Sequence, residues 1–213
     1  MQTLNADSAG IIFGAGGGLG MAFTRRLLET SAVGCLWAAT RDPQAPAFKT
    51  LVKDYGQRLR PIAVDITDED SIRALSEQVA AVTPQIHLLI NAFGFLHDSD
   101  MNIRPEKRLE DLTPRSLEQN FAINAIAPAL IAKHFIHLLS HRERAVFASL
   151  SARVGSITDN RLGGWYAYRM SKAAQNMFTQ GLAVECARRA KRLICLALHP
   201  GTADTALSEP FQS

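Results

Sequence analysis

Tyr168 and Lys172, in the run Tyr166-Ala167-Tyr168-Arg169-Met170-Ser171-Lys172, carry the most pointed chemistry in the chain. On a helix, positions i and i+4 share one face. A phenol titrates near pH ~10 in water, and an ammonium beside it favours the phenolate and lowers that value. A tyrosine tuned in this way passes its proton to a carbonyl oxygen as hydride reaches carbon, and takes it back in the oxidising direction. The lysine also has the length to reach ribose hydroxyls of a nucleotide. A bare Tyr-xxx-Lys is equally an ordinary surface pair, so its meaning depends on where the fold puts it.

A second cluster lies almost at the N-terminus: Gly14-Ala15-Gly16-Gly17-Gly18-Leu19-Gly20. The apolar run Gly10-Ile11-Ile12-Phe13 before it reads as a buried strand, and the apolar residues of Met21 to Glu29 after it recur at helical spacing. Strand, glycine turn and helix is the context in which backbone N–H groups and a helix N-terminus hold a dinucleotide pyrophosphate. The spacing Gly14-xxx-Gly18-x-Gly20 departs from the common G-x-G-x-x-G, and a glycine cluster by itself also fits a plain turn.

Two side chains follow at the positions that face an adenosine. Gly34 to Thr40 reads as a second strand that runs into Arg41-Asp42-Pro43, where proline stops the sheet. An acidic residue at that strand end favours NAD; a guanidinium suits a 2′-phosphate, so Arg41 points to NADP, with NAD kept open by the neighbouring Asp42. Asp65, after the third strand (59–64), can accept from an adenine amino group or simply shape a turn.

The rest of the chain must position these groups. A polar helix (44–55) precedes the third strand. Thr67-Asp68-Glu69-Asp70 has the form of a capping box for a helix to about residue 82. Ile86 to Ile90 reads as a fourth strand that ends in Asn91-Ala92-Phe93-Gly94, followed by a polar loop over 95–112 long enough to suggest binding. Thr113-Pro114 opens a long helix to about Ser140, with Pro128 expected to kink it and Asn124 set among apolar neighbours. His134, His137 and His141 share a stripe on that helix, but without carboxylate or cysteine company they do not make a metal site. Ala145 to Leu150 and Leu193 to Leu198 read as the fifth and sixth strands, with a helix from near Trp165 between them and His199-Pro200-Gly201 after the last. Alternating strands and helices with no linker predict one doubly wound, parallel α/β domain with helices on both faces, a Rossmann-type sheet over residues 1–213.

The 213 residues, 47% hydrophobic and 20% charged, suffice for a substantial core. A polar N-terminus and no evident long apolar span lead to the expectation of a soluble, cytoplasmic protein without a membrane segment. The net charge of +3 is small. The basic run Arg188-Arg189-Ala190-Lys191-Arg192 falls where a helix should end, a favourable place for cations, and nothing extends it into a nucleic-acid surface. Cys35, Cys186 and Cys195 are scattered in apolar stretches and read as reduced core residues.

Taken together, Gly14-xxx-Gly18-x-Gly20, Asp65, Asn91-Ala92-Phe93-Gly94, Asn124, Tyr168-xxx-Lys172 and Pro200-Gly201-xxx-Thr205 resemble the motifs of the short-chain dehydrogenases/reductases, in family order and over essentially the whole chain. The stretch Gly163 to Lys172 looks most like the C-factor and carbonyl-reductase branch. The resemblance implies an NADP-preferring oxidoreductase acting on a small carbonyl or alcohol substrate. In that reading Gly14, Gly16, Gly18, Leu19 and Gly20 bind pyrophosphate, Arg41 the 2′-phosphate and Asp65 the adenine. Asn91 and Gly94 support the nucleotide, and Pro200, Gly201 and Thr205 its nicotinamide end. Tyr168 is the acid/base, Lys172 tunes it and holds the ribose, and Asn124 anchors a water. Pairing of the two long helices between subunits implies a homodimer or homotetramer.

Two departures stand out. The second asparagine of the usual Asn-Asn-Ala-Gly is missing. The family's catalytic serine stands three residues before a glycine, and counting back from Gly155 gives Ala152. Losing such a donor costs about 10²–10³ in rate. Ser151 replaces it by a one-residue shift, the enzyme is slow, or the site serves nucleotide sensing or an interaction rather than turnover. The chain also ends at Ser213, so the substrate-covering segment that the resemblance implies is expected to be absent.

Overall fold

The computed structural model describes residues 4–30 and 32–201. Thr205 lies outside the described residues. Among these, the chain alternates strand and helix: β1 (Ala9–Phe13), α1 (Gly18–Thr30), β2 (Cys35–Thr40), α2 (Pro46–Tyr55), β3 (Leu59–Ala63), α3 (Glu69–Val82), β4 (Leu88–Asn91), α4 (Pro114–Phe121), α5 (Ala127–Leu139), β5 (Ala145–Leu150), α6 (Tyr166–Arg189) and β6 (Leu193–Leu198). The six strands form one parallel sheet in the order β3-β2-β1-β4-β5-β6. This is the doubly wound arrangement the sequence predicts.

Strands buried on both faces read as continuous apolar runs because neither side meets water. All five residues of β1 are buried. Ile11 and Phe13 pack into one core layer with Ile131, Phe135 and Phe147. Ile12, between them, packs into the opposite layer with Leu28, Leu36 and Phe48. Phe13 meets the Phe135 ring edge-on, with centroids 5.2 Å apart.

Two expectations are corrected at helix ends. The cap of α3 is Asp68, not Thr67: its side chain accepts from Asp70 N at 3.0 Å. The long helix is not merely kinked at Pro128; a π-helical turn, Ala122–Ile126, separates α4 from α5. Pro128 has no N–H for the carbonyl one turn back, and Ala127 N bonds to Ala122 O, five residues earlier. The break therefore falls around Asn124 itself. The expectation that nothing resembles an 18-residue apolar span is corrected here too. Pro114–Leu139, 26 residues, is long and apolar enough to cross a membrane by composition. Ile131, Phe135, Leu138 and Leu139 are instead buried against the sheet, as in a core helix.

The three histidines of α5 and its end diverge. His134 Nε2 lies 2.9 Å from Glu69 Oε1, and His141 Nε2 lies 2.9 Å from Ile86 O with its ring against His87. Cys186 and Cys195 are in contact within the core, and burial raises both thiols, that of Cys195 to about 12.

Candidate active site

The glycine turn joins the carboxyl end of β1 to α1. Gly14 N and Ala15 N both donate to Ala39 O, at 3.0 and 3.1 Å, which ties the turn to β2. Gly14 has φ +76°, and a Cβ there would lie 2.9 Å from Phe93 Cβ. A Cβ at Gly20 would lie 2.1 Å from Gly14 O, so the turn closes on its own helix only without a side chain. Gly16 rests against Thr40, and Gly18 and Leu19 open α1. A backbone cradle so shaped at a helix N-terminus suits a pyrophosphate.

Arg41 follows β2 and is exposed. It lies near Asp65 beyond the adjacent β3, and its charge contributes to holding the Asp65 carboxyl low. The larger causes are the Thr67 hydroxyl and N–H, which donate to Asp65 Oδ1 at 2.6 and 2.9 Å. Asp65 is thus a turn residue at the edge where Arg41 stands.

The ends of β4 and β5 are joined by side chains. Asn91 Nδ2 donates to Ser149 Oγ at 2.9 Å, while Asn91 Oδ1 is buried without a partner among the described residues. Beyond it, Asn124 braces the turn after β4: Phe95 N donates to Asn124 Oδ1 at 2.8 Å, and Asn124 Nδ2 lies 2.8 Å from Phe95 O. The same Nδ2 reaches Ser171 Oγ and Asn120 Oδ1, at 3.0 and 3.2 Å. A Cβ placed on Gly94 would lie 3.6 Å from Asn124 Oδ1 and 3.7 Å from Lys172 Nζ, so these three residues share one small space.

Tyr168 and Lys172 lie on the first turns of α6, 8% and 2% exposed. Lys172 Nζ stands 5.8 Å from the centre of the Tyr168 ring. It donates to Leu150 O, the last residue of β5, at 2.8 Å, and to Gln175 Oε1 at 3.0 Å. The expected lowering of the phenol by the ammonium is not found. Burial pushes Tyr168 up to about 12 and Lys172 down to about 7, because each charged form loses its water.

The residues before this helix are held by Glu106, in the segment the sequence predicts as a polar loop. Glu106 is 2% exposed. Its carboxylate accepts from Ala167 N, at 3.3 Å, and from the Ser116 hydroxyl, and its carbonyl accepts from Trp165 N at 2.6 Å. Gly163, Gly164 and Trp165 all have positive φ, of 64°, 65° and 52°, in the approach to α6. A left-handed tryptophan is costly and persists only where its surroundings fix it.

A cavity of about 340 Å³ opens beside the end of β5, lined by Ser151, Ala152, Arg153, Ser156, Asn176, Ala197 and His199. Ala152 brings only a methyl group to it. Ser151 gives its hydroxyl proton to Asn176 Oδ1 at 2.6 Å. Pro200 and Gly201, at φ +78°, follow β6 at the same carboxyl edge of the sheet.

A family model described as short chain dehydrogenase matches residues 9–213. A short chain dehydrogenase of Pseudocercospora fijiensis is 27% identical over 206 residues, 94% of this chain and 61% of that protein. The C-signal protein of Myxococcus xanthus is 32% identical over 102 residues, 48% of this chain and 60% of its own length. The chain thus spans less than two thirds of either relative. The carbonyl reductase Sniffer of D. melanogaster superposes with a TM-score of 0.82 at 26% identity, over 94% of this chain and 82% of that one. The NADPH-bound carbonyl reductase from chicken fatty liver gives a TM-score of 0.81 at 27% identity, over 96% and 82%. A family match from the first strand onward, on a sheet with this strand order and this glycine turn, settles the kinship: the chain belongs to the short chain dehydrogenase family.

Proposed function

We propose that this protein is an NADP-preferring oxidoreductase of the alcohol dehydrogenase type that reduces a ketone or aldehyde, with Tyr168 as proton donor. The observation that carries the reading is the buried Tyr168–Lys172 pair at the carboxyl end of β5, where ligands bind in such sheets. A phenol at about 12 stays protonated at neutral pH, as a donor to a carbonyl oxygen must. The residues fit a dinucleotide: the turn has no room for a Cβ at Gly14 or Gly20, Arg41 stands at the end of β2, and Asn91 Oδ1 lacks a partner among the described residues. NADPH supplies hydride when bound. The chicken carbonyl reductase is NADPH-bound, which supports the same choice here.

In this mechanism Tyr168 releases its proton to the substrate oxygen, and Lys172 stabilises the resulting phenolate. Asn124 braces the turn at Phe95, beside Gly94 and Lys172, and would help shape the place for the nucleotide there. No hydroxyl at position 152 steadies the oxygen, so turnover is slow. We place the enzyme in the cytoplasm as a homodimer or homotetramer on small carbonyl or alcohol substrates, with no nucleic-acid or membrane partner. Ala152, together with Ser151 committed to Asn176, favours a second reading: a nucleotide-sensing or interaction protein with little turnover.

NADPH oxidation with a panel of aldehydes, ketones and quinones, in the wild type and Tyr168→Phe, decides between them. The reductase reading expects wild-type turnover and a variant that binds NADPH yet loses it. NADPH binding by both with turnover by neither leaves the sensor.

A further inference from the structure

The Lys172 amine is almost fully removed from water, and as an ammonium each of its N–H groups needs an acceptor within the protein. Two are satisfied, by Leu150 O at 2.8 Å and by Gln175 Oε1 at 3.0 Å. Gln175 is itself 2% exposed, and its Nε2 donates to the same Leu150 O at 3.3 Å. This second bond fixes the orientation of the amide: with its NH₂ spent on Leu150, its oxygen faces the ammonium. Lys172, Gln175 and the end of β5 therefore close a three-membered ring of hydrogen bonds. A leucine would fill much the same space as Gln175 and give Lys172 nothing to donate to.

We propose that Gln175 is a positioning residue for the catalytic lysine: its oxygen and that of Leu150 clamp Nζ at the end of β5, hold it as an ammonium, and leave its third N–H for the Tyr168 phenolate or a bound nucleotide. This rests on the reading of Lys172 as half of a reductase pair, but the clamp itself exists without turnover. The elements around Lys172 bring it Tyr168 from its own helix as the titratable neighbour. The others contribute neutral groups: the Leu150 carbonyl from β5, Gly94 after β4, Asn124 from the π-helical turn, and Gly155. Among the described residues Lys172 Nζ is bonded by two neutral oxygens, those of Leu150 and Gln175, and these carry the support of the cation.

The test is a pH titration of lysine ¹³Cε signals in the full chain, with Lys172 assigned by its loss in Lys172→Met. Gln175→Leu removes an acceptor and lowers the pH at which Lys172 loses its proton by about one unit, a tenfold change in proton affinity. Gln175→Glu supplies a carboxylate and raises it by about one unit or more. In the turnover assay the limb governed by Lys172 moves the same two ways, while general repacking moves neither in opposed directions. Unchanged titration in both variants, or shifts of the same sign, overturns the proposal. Should Gln175→Leu fail to fold, Gln175→Glu decides by the presence or absence of its upward shift. A wild type that consumes no NADPH yet shows the opposed shifts removes the reductase reading and leaves the clamp standing.

Discussion

Ser151 donates its hydroxyl to Asn176 across 2.6 Å, and so the one serine beside Ala152 is turned to α6 and bonded there. Its proton is spent on an amide oxygen rather than offered to the cavity that both residues line. Ala152→Ser is therefore expected to raise kcat by about 10²-fold, the worth of one restored oxyanion donor. Ser151→Ala should change kcat by less than about threefold on the same scale. Steady-state NADPH oxidation measures both. A loss of about 10²-fold in Ser151→Ala instead would show that Ser151 supplies the missing donor.

The pair at the start of α6 also predicts how stability follows pH. Folding lowers Lys172 from its ordinary 10.5 to about 7, so between those values the unfolded chain binds the extra proton. Stability from this residue is lost as pH falls toward 7 and regained as pH rises toward 10.5. Tyr168 acts the other way above pH 10, because its folded value of about 12 is raised and the unfolded chain releases its proton first. Urea unfolding of Lys172→Met should show a flatter dependence than wild type between pH 7 and 10. Equal slopes in the two proteins would refute the burial of this charge.

Glu106 reaches Ala167, one residue before Tyr168, and Ser116 of α4. Glu106→Ala leaves both donors unpaired in a buried place, at a cost of about 1–3 kcal/mol. That corresponds to a Tm lower by about 2–12 °C for a chain of this size. Amide exchange over 164–168 should quicken at the same time. Glu106→Gln, which can still accept from Ala167 N and donate to the Ser116 oxygen, should recover most of the loss. Calorimetry with hydrogen exchange reads both effects.

Arg41 is an exposed cation just beyond β2, where the proposed function puts the 2′-phosphate. Arg41→Ala should weaken NADPH by about 10–100-fold, the worth of charged hydrogen bonds to a 2′-phosphate, and leave NADH unchanged. Titration calorimetry with each nucleotide tests this. An equal loss for both would mean that Arg41 does not face a phosphate.

The sequence by itself determined what depends on local rules. Ile11-Ile12-Phe13 is apolar without interruption because a central parallel strand is buried on both faces, and that made β1 legible. The i, i+4 spacing put Tyr168 and Lys172 on one face of α6, and the glycine run marked a turn without side chains. Gln175 was within reach of the same rule, three residues beyond Lys172, but an uncharged amide in a helix announces no role. What needed the tertiary structure was every relation between distant segments. Glu106 sits in a polar loop without periodicity, and only the fold carries it 61 positions along the chain to Ala167. The π-helical turn at Asn124 is foreshadowed by Pro128, yet its placement follows from which carbonyl lost its donor. Ser151 and Ala152 are neighbours in sequence, and it took Asn176, 25 residues away, to decide which group the one hydroxyl serves. The spacing predicts that the Lys172 ammonium lowers the Tyr168 phenol, because spacing reports proximity; burial, which reports solvation, raises it instead. In this site solvation is the larger effect.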